Sequence, residues 1–598
     1  MKLIVAEKNI AAKRIAELLA SGGVEEKRIN GVPTYHFVRA NQHYVVVPLR
    51  GHIVDVDFPM RYAPWIGTDL RKLVNSEIEY IEKEQNIIEV LRKFAQQADE
   101  VIFATDYDRE GESIALEALQ CLRSANPNIK TRRAVFSAIT KEDIEKAFRN
   151  LKDLDYNLAN SANARREIDL IWGAVLTRFL SIVSGQLGKE FLSAGRVQSP
   201  TLALIVDREK EILAFKPKPY WEVEAIFEKD AKKFSAMHKN GRFWEKEKAL
   251  AVLKKKEPYG IVSKVTRTEK VIKRPVPFNT TSFLRAATAL GISAPQAMSI
   301  AEELYQMGYI SYPRTDNTAY PATLNLRAIV EKLRHYKPVA SYCNELLKHE
   351  LKPSRGKATK DHPPIHPVDV PKEKLSGKHA KIYELICRHF LATLSEDAVA
   401  EVIVAELLVG NEPFIATGRR YLKLGWKLVY PYSSTAEVIL PKLEQGQAVK
   451  LVDMKLHEKK TKPKPRYSQG KLIKLMAELG LGTKSTRHEI IRKLYARRYI
   501  KGNKAIIPNR IAFAVIDALE KQNSSILKPD MTAQLEKEMD EIALGKKDKN
   551  KVVEESRKML ALALEQLLAK KQEIGQALRR ALLEDKKQFA CTADNCDG

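Results

Sequence analysis

The sequence predicts a soluble multidomain protein in which an α/β domain is followed by helical and β-rich domains. The chain has 598 residues, several times the usual domain size of roughly 100 to 200 residues. Apolar strands alternate with amphipathic helices at the start, and the pattern later becomes helical, then strand-like. No stretch approaches the roughly 18 uncharged apolar residues of a membrane span. We therefore expect several domains with separate cores and no membrane association.

The first predicted domain, residues 1–150, is an α/β domain with a mainly parallel sheet. Its elements, in chain order, are the strand Leu3–Ala6, the helix Ile10–Ala20, the apolar runs Tyr44–Val47, Val101–Ala104 and Ala134–Ile139, and the helix Lys141–Asn150. The apolar start is interrupted by Glu7 and Lys8, so it predicts a strand and turn rather than a signal peptide.

Beyond residue 150 the chain enters a β-rich domain, leaves it and returns. Two prolines in Lys216–Pro219 end a helical stretch, because a helix interior does not accept them. The predicted divisions are a helical domain in two parts (151–215 and 459–590), a β-rich domain in two parts (216–272 and 399–458), a helical insert (273–398) and a tail (591–598). Such a path can close a ring.

The charge of the chain favours nucleic acid as the partner. Lys and Arg total 101 against 75 Asp and Glu, a net charge of +26, and such an excess binds polyanions with release of counterions. The alternative at this level is a lysine-rich surface that only maintains solubility. Five cysteines cannot staple a fold of this size, and Cys121, Cys343 and Cys387 lie in apolar helical patterns. We expect a cytoplasmic, nucleoid-associated protein.

An acidic cluster follows an apolar strand in VIFATDYDREGES. Asp106 and Asp108 are two residues apart, so they face the same way on an extended backbone, and Glu110 follows at the start of a helix. Two close carboxylates favour a bound cation, and Mg²⁺ takes one or two carboxylates with water and phosphate. A parallel sheet would bring Glu7 to the same edge. The alternative is a solvated acidic turn.

A tyrosine motif lies in the helical insert, in AEELYQMGYISYPRTD. Gly308 is expected to end a helix near Met307. Pro313 keeps Tyr312 extended, so Tyr312 and Arg314 should point the same way. Free tyrosine has a pKa near 10, and a neighbouring guanidinium would help to form the phenolate and would neutralise phosphate charge. Taken alone, such a tyrosine is more often a core residue.

These motifs resemble two known families. Glu7 with the DxDxE segment is similar to the Toprim domain, which topoisomerases share with bacterial primases and some nucleases. The segment GYISYPRTD resembles the active-site motif of type IA topoisomerases. Further blocks of that family follow in the expected order and span almost the whole chain: ANARREIDLIWG, SAGRVQSPTL, PFNTTSFL, DHPPIHP and GLGTKSTRHEII.

The resemblance implies a fold and a reaction. The fold would be a torus of a Toprim domain, a β-rich hinge and two helical domains, with Tyr312 facing the Toprim acids. Tyr312 would attack a phosphodiester, forming a 5′-phosphotyrosyl bond, while the 3′-hydroxyl is held near Glu7, the acid for the leaving oxygen. Lys8 and Arg314 would stabilise phosphate charge, and His362 would hold the strand or tune Glu7.

The same resemblance implies the ligands and the DNA path. Asp106, Asp108 and Glu110 would bind Mg²⁺. A groove for single-stranded DNA would be lined by Arg165, Arg166, Arg196, Gln198 and Ser199. Asp169 is expected to orient one of these arginines, and its helical i, i+4 spacing from Arg165 would allow that pair. The implied substrates are single-stranded and negatively supercoiled DNA, with a helicase as a further candidate partner and a monomeric state.

Two cofactors are not expected. The chain has no GxxxxGK[ST] phosphate loop, and one ester replaces another in the reaction, so ATP is not required. Cys591 and Cys596 form half of a zinc knuckle with no partner pair, so zinc is not supported. The tail is therefore either an interrupted zinc module or a natural end with two thiols.

Two other functions fit part of the sequence. A Toprim nuclease or primase would use the acids with metal, leave Tyr312 structural and form no covalent adduct. A DNA-binding or strand-annealing protein would use the charge but leave the acids and the Tyr312/Arg314 pair unexplained. The sequence does not decide between relaxation of supercoils and decatenation.

Overall fold

The computed structural model describes residues 1–360, 362–520 and 524–593. The first part is an α/β domain built on a six-stranded sheet in the order β2-β3-β4-β1-β7-β8. Its elements are β1 (Lys2–Ala6), α1 (Asn9–Leu19), β2 (Glu25–Ile29), β3 (Val32–Arg39), β4 (Gln42–Pro48), β5 (Val54–Asp57), α2 (Leu70–Val74), β6 (Glu79–Glu82), α3 (Gln85–Ala95), β7 (Glu100–Ala104), α4 (Arg109–Ala125), β8 (Lys130–Arg133) and α5 (Lys141–Arg149).

The sheet of the α/β domain is mainly parallel. Strand β1 pairs in parallel with β4 and β7, and β7 pairs in parallel with β8. Antiparallel pairing is confined to β2, β3 and β4. The central strand β1 is buried because both faces of the sheet are covered. The predicted α/β fold class is thus confirmed, with an antiparallel extension at one edge.

One predicted element differs from the structure. The apolar run Ala134–Ile139 is not a strand; β8 ends at Arg133, and only the Ala134 amide still bonds to the sheet, donating to the Phe103 carbonyl. The run is apolar because it packs between domains: Phe136 and Ile139 are buried there. Its Ser137 carbonyl accepts a hydrogen bond from the Tyr312 amide at 2.9 Å. Burial without strand pairing produced the strand-like pattern.

The middle of the chain forms two helices, a barrel and a helical insert. The elements are α6 (Tyr156–Ser184), α7 (Gln198–Ala214), β9 (Pro219–Lys229), β10 (Lys232–His238), α8 (Lys246–Lys254), β11 (Tyr259–Ile272), α9 (Thr280–Ala289), α10 (Ala294–Gln306), α11 (Leu326–Leu333), α12 (Ala340–Leu346), α13 (Gly377–Leu394), β12 (Ala398–Val409), β13 (Glu412–Lys423) and β14 (Ala448–Lys460).

The six long strands close a barrel in the order β10-β13-β12-β11-β14-β9. Strands β11 and β12 are antiparallel neighbours, and Ile272 pairs with Ala398 at the end of their ladder. The insert of α9 to α13 therefore leaves and re-enters the barrel at adjacent positions. This is the departure and return that the sequence predicts; the ring shape and the exact domain limits remain predictions.

The last part is helical. It contains α14 (Gln469–Glu478), α15 (Arg487–Ala496), β15 (Ile500–Lys501), β16 (Ile507–Pro508), α16 (Arg510–Glu520), α17 (Ser524–Leu527), α18 (Pro529–Ala543), α19 (Lys549–Ala569) and α20 (Lys571–Ala593). Helices α18, α19 and α20 pack on α6, so the two helical stretches form one body. No described helix has the length and apolar character needed to cross a bilayer.

The expectation of a separate core for each domain is only partly met. The barrel has its own core, and one face of the α/β sheet has another. The largest core is shared by the other sheet face, the helical body and the insert. Cys121, Cys343 and Cys387 are buried free thiols, as predicted; the Cys591 side chain and Cys596 lie outside the described part of the chain.

Candidate active site

The acids of the α/β domain meet where two parallel strands end. Glu7 follows β1 and Asp106 follows β7, and these strands are neighbours in register. The Asp106 amide donates to Glu7 Oε2 at 3.3 Å. Lys8 lies beside them, with its Nζ 3.9 Å from Glu7 Oε1. The structure thus brings Glu7 and Asp106 together at this edge, as the sequence predicts.

The acidic loop is held by local hydrogen bonds. Asp108 is the N-cap of α4, and its carboxylate accepts from the Gly111 amide at 2.9 Å. Residue 111 must be glycine, because a Cβ there would overlap the Asp106 carbonyl oxygen. The buried Arg133 donates to the same Asp106 carbonyl at 2.8 Å and forms an ion pair with Glu112 at 2.6 Å. The loop conformation is therefore fixed.

Glu110 does not join Asp106 and Asp108 in this structure. Its carboxylate forms an ion pair with Arg165 and lies 3.0 Å from His52 Nε2. Among the described residues, no three His, Cys, Asp or Glu side chains are grouped as a metal site requires. The predicted three-residue magnesium set is thus not assembled, because two basic groups draw Glu110 away.

The remaining carboxyls differ sharply in protonation. Burial and the charge of Asp108 raise the pKa of Glu7, and burial and Glu7 raise the pKa of Asp106 well above its usual value. Burial opposes ionisation of Asp108 as well, but Arg314, the Tyr312 hydroxyl and the Gly111 amide outweigh it and lower the pKa of Asp108 to about 2. The site therefore pairs an ionised carboxylate with two carboxyls that favour a proton or a cation.

Tyr312 reaches this cluster from the helical insert. Gly308, in a left-handed conformation (φ 75°), follows the end of α10, and the chain then runs extended to Pro313. The Tyr312 hydroxyl donates to Asp108 Oδ2 at 2.6 Å. The side chain is only 1% exposed, and its ring contacts Tyr305 and His362 at centroid distances of 5.1 and 4.6 Å. The phenol is therefore buried between the α/β domain and the helical insert.

The resting tyrosine is not a phenolate. Burial and the charge of Asp108 raise the pKa of Tyr312 well above 10, although Arg314 acts in the opposite direction. Arg314 thus favours the phenolate, as the sequence predicts, but burial and Asp108 outweigh it in this structure. Arg314 Nη1 is 3.5 Å from the same Asp108 oxygen that accepts the phenol hydrogen.

His362 lies beside Tyr312, with the two ring centroids 4.6 Å apart. Its Nε2 donates to the Tyr107 carbonyl at 2.7 Å, and its Nδ1 lies 2.9 Å from Ser137 Oγ. A carbonyl can only accept, so Nε2 carries hydrogen. His362 thereby fastens the insert to the acidic loop and to the 134–139 segment.

The predicted DNA-binding residues are mostly buried and engaged with one another or with acids. Arg196 is 1% exposed and forms ion pairs with Asp169 at 2.6 Å and Glu536 at 2.8 Å. Gln198 donates to the Ser193 carbonyl, and Ser199 accepts from the Gly195 amide. These residues support the 193–199 loop in this state.

Asp169 orients one of the predicted arginines, but that arginine is Arg196 rather than Arg165. Arg165 instead forms an ion pair with Glu110, and Arg166 pairs with Glu117 and donates to the Val54 carbonyl. Acids of another element thus replace the local helical partner of Arg165, whose contribution is only a few tenths of a kcal/mol.

Sequence reasoning missed several residues of the site. Glu302 forms an ion pair with Arg314, Tyr305 packs on Tyr312, and Ser137 contacts both Tyr312 and His362. Helical spacing could have indicated two of them. Glu302 and Tyr305 are three residues apart on α10, so their side chains lie on the same face of the helix. Nothing in the sequence around Ser137 marks it.

Comparisons with known proteins agree with this geometry. A family model described as DNA topoisomerase matches residues 153–554, and a Toprim domain model matches residues 2–139. The chain is 47% identical to DNA topoisomerase 1 of Archaeoglobus fulgidus over 98% of this chain and 87% of that one. It is 44% identical to DNA topoisomerase 1 of Thermoplasma acidophilum over 97% of this chain and 75% of that one.

A solved structure shares the fold. Full-length topoisomerase I from Thermotoga maritima superposes with a TM-score of 0.74 at 29% identity, covering 94% of this chain and 90% of that one.

Proposed function

The chain belongs to the type IA DNA topoisomerase family, so it is an isomerase that acts on DNA, and we propose that Tyr312 is its nucleophile. One observation carries this assignment. The Tyr312 hydroxyl, from the insert, lies 2.6 Å from Asp108 of the Toprim domain. Arg314 contacts the same carboxylate, and Lys8 lies beside Glu7 at the same junction. A nucleophile, two cations and an acid thus converge at one junction between domains.

The proposed cleavage exchanges one ester for another. The Tyr312 oxygen attacks the phosphorus, a Tyr–O–P bond forms, and the bond from phosphorus to the 3′ oxygen breaks. The phenol proton leaves along its hydrogen bond toward Asp108, and the 3′ oxygen takes a proton from Glu7. The raised pKa of Glu7 supports this role, because a protonated carboxyl can donate. Lys8 and Arg314 offset the charge that develops on the phosphate.

Magnesium fits part of the donor set. Asp106 and Asp108 supply the hard oxygen ligands that Mg²⁺ prefers, and two carboxylates with water and phosphate are sufficient. The raised pKa of Asp106 supports a cation nearby, since a cation would relieve its repulsion with Glu7. Bound Mg²⁺ would supply positive charge for the phosphate. Glu110 can join only if its ion pair with Arg165 opens.

The magnesium proposal has a direct test. Asp106→Asn should raise the Mg²⁺ concentration needed for half-maximal relaxation of supercoiled DNA, while the matched change of the exposed Asp55 to Asn should not. Equal requirements in the two variants would contradict the assignment.

DNA can reach Tyr312 only if the Toprim domain and the insert separate, because the phenol is 1% exposed. We propose that a single strand follows Arg165, Arg166, Arg196, Gln198 and Ser199 when the ion pairs of this region open. A basic cavity of about 670 Å³ continues the path; its cationic lining residues are Lys189, Arg497, Arg498, Lys501 and Arg510. Its wall touches the 193–199 loop, since the Tyr499 hydroxyl donates to the Ser193 carbonyl.

The proposed setting follows from the family. Single-stranded and negatively supercoiled DNA are the substrates, the enzyme works without ATP as a monomer, and a helicase can supply unwound DNA in the cytoplasm near the nucleoid. The comparisons favour this activity over the Toprim nuclease or primase alternative.

Adduct formation tests the nucleophile. Single-stranded oligonucleotide labelled at its 3′ end is incubated with wild type, Tyr312→Phe and the matched control Tyr309→Phe, and protein-linked label is measured on a denaturing gel. Wild type and Tyr309→Phe should retain label, and Tyr312→Phe should not. Cleavage by both wild type and Tyr312→Phe without attached DNA would instead establish a nuclease.

A further inference from the structure

Glu302 is a largely buried acid that the proposed reaction does not use. It lies on α10, three residues before Tyr305, and its side chain is 18% exposed. Each carboxylate oxygen faces a different cation. Oε1 accepts a hydrogen bond from Arg314 Nη2 at 2.5 Å, and Oε2 lies 3.6 Å from Lys8 Nζ.

The two cations come from opposite sides of the domain junction. Lys8 follows β1 of the Toprim domain, whereas Arg314 follows Tyr312 in the insert. Their other acidic partners differ: Lys8 also pairs with Glu7, and Arg314 also pairs with Asp108. Among the described residues, Glu302 is the one acid that pairs with both, so it sets the position of one cation relative to the other.

Arg314 is held by Glu302 in an orientation that leaves a donor free. Its Nη2 is taken by Glu302 and its Nη1 lies 3.5 Å from Asp108 Oδ2. Its Nε is buried and has no hydrogen-bond partner among the described residues. A buried guanidinium N–H without a partner is costly, and here it is adjacent to the tyrosine that must meet a phosphate.

The negative charge of Glu302 balances the positive charges of Lys8 and Arg314. Burial opposes ionisation of Glu302, but Arg314 and Lys8 outweigh it and lower the pKa of Glu302, so the group is a carboxylate. Without it, the near acids would be Glu7, Asp106 and Asp108, and of these Asp108 is the ionised one. Both cations would then move toward Asp108, away from the positions that the phosphate and the departing 3′ oxygen need.

We propose that Glu302 is a positioning residue for strand cleavage, which holds Lys8 and Arg314 on either side of the reacting phosphodiester. The inference rests on the proposed roles of Tyr312, Lys8 and Arg314. Glu302 itself does not touch DNA; it acts through the two cations.

The test compares Glu302→Gln with Glu303→Gln. Glutamine keeps the size of the side chain and removes the charge. Glu303 is the neighbouring acid on the same helix, and its carboxylate contacts His379 and Ser299 rather than the cations. The rate of adduct formation is measured in a single turnover at saturating labelled oligonucleotide, and the DNA dissociation constant is measured separately.

For Glu302→Gln we expect the cleavage rate to fall roughly 10- to 100-fold, the loss typical of a misplaced catalytic group. The dissociation constant should change less than about threefold, because no DNA contact is removed. Glu302→Asp keeps the charge on a shorter side chain and should be intermediate. Glu303→Gln should match wild type.

The outcomes separate the two proposals. If wild type forms no adduct, the function assigned to Tyr312 fails. If wild type forms the adduct and Glu302→Gln forms it equally fast, or loses rate and affinity in parallel, the role of Glu302 fails. If Glu302→Gln does not fold, as judged by thermal unfolding, Glu302→Asp takes its place, and a rate equal to wild type then overturns the inference.

Discussion

Arg133 shows how a single buried cation shapes the acidic loop. Its side chain is 1% exposed and donates to Glu112 and to the carbonyl groups of Phe103, Ala134 and Asp106. A guanidinium can make five such bonds, and methionine can make none. The loss therefore leaves Glu112 as an unpaired buried charge.

We predict that Arg133→Met lowers stability by about 3 kcal/mol or more, the cost of breaking a buried ion pair. Thermal unfolding should show a lower midpoint, and adduct formation should weaken because the Asp106 carbonyl is released. The control is Arg132→Met, since Arg132 is exposed and forms its ion pair with the exposed Asp153. Equal midpoints for the two variants would contradict a supporting role for Arg133.

Residue spacing predicted the centre of the site but not its surroundings. The parallel strand ends were sufficient to bring Glu7 and Asp106 together, whereas the approach of Tyr312 to the acids was implied by the family resemblance. The partner of Glu110 was missed, and Asp169 orients Arg196 rather than Arg165, because these ion pairs join residues distant in sequence. Glu302 was missed because a charge on a helix is usually solvated.

At the scale of elements, the insert contains buried histidines that cannot easily become charged. Burial lowers the pKa of His366 and of His389 to about 4. His389 Nε2 donates to the Val276 carbonyl at 2.9 Å, and its ring stacks on Phe278. An unfolded histidine has a pKa near 6.5, so protons bind the unfolded state first as the pH falls.

The sign of the pH dependence follows. Above pH 6.5 neither state binds the proton and His389 contributes no pH dependence; between pH 6.5 and about 4 stability is lost as the pH falls. For one such histidine the free energy of unfolding falls by about 2 kcal/mol by pH 5.

We predict that His389→Gln, which keeps a donor for the Val276 carbonyl, shows a smaller drop in unfolding midpoint between pH 7 and pH 5 than wild type. His349→Gln, an exposed position, should behave as wild type, and an unchanged drop in His389→Gln would refute the assignment.

The contact between α10 and the Toprim domain depends on a glycine. Gly308 has φ 75°, and a Cβ there would lie 2.6 Å from the Ile139 carbonyl oxygen and 2.6 Å from Arg14 Nε. Gly291 has a similar φ of 81° but nothing within 4 Å of an added Cβ. Substitution of Gly291 thus tests backbone strain alone, whereas substitution of Gly308 tests strain together with a steric collision.

We predict that Gly308→Ala weakens adduct formation more than Gly291→Ala, because only the first pushes the insert away from the 134–139 segment. Both should lose similar stability from the left-handed backbone. The measurement is the single-turnover cleavage rate beside the unfolding midpoint. Equal rates would mean that the junction tolerates the added methyl group.

Element types followed from hydrophobic periodicity, and the errors share one cause. Alternation predicted the barrel strands, and the positive φ of Gly308 was implied by its place after a helix. The run at 134–139 was misinterpreted because a coil buried between domains is as apolar as a strand. Periodicity reports burial, whereas hydrogen-bonding partners depend on elements far along the chain.

Over the whole molecule, the net charge is +26, and part of this excess lies at the basic cavity, where we propose that a strand passes. The basic cavity has five cationic lining residues and one acidic lining residue, Glu190. The Arg497 guanidinium lies 3.7 Å from the centre of the Phe191 ring, which adds an aromatic surface to the cationic one. Cations with aromatic rings are the usual means of binding single strands without sequence preference.

Salt dependence tests this distribution. For a single strand, the logarithm of affinity falls with the logarithm of salt concentration with a slope of about −0.7 for each neutralised phosphate. Lys501, exposed on β15, can contribute one such contact. We predict that Lys501→Gln weakens oligonucleotide binding at low salt and reduces the slope by about 0.7, so its affinity converges with that of wild type as salt rises.

The control is Lys233→Gln, which makes the same charge change at an exposed position of the barrel strand β10, away from the cavity. If both variants show the same slope as wild type, the strand does not cross the cavity; if both slopes fall equally, binding depends on total charge rather than on this path.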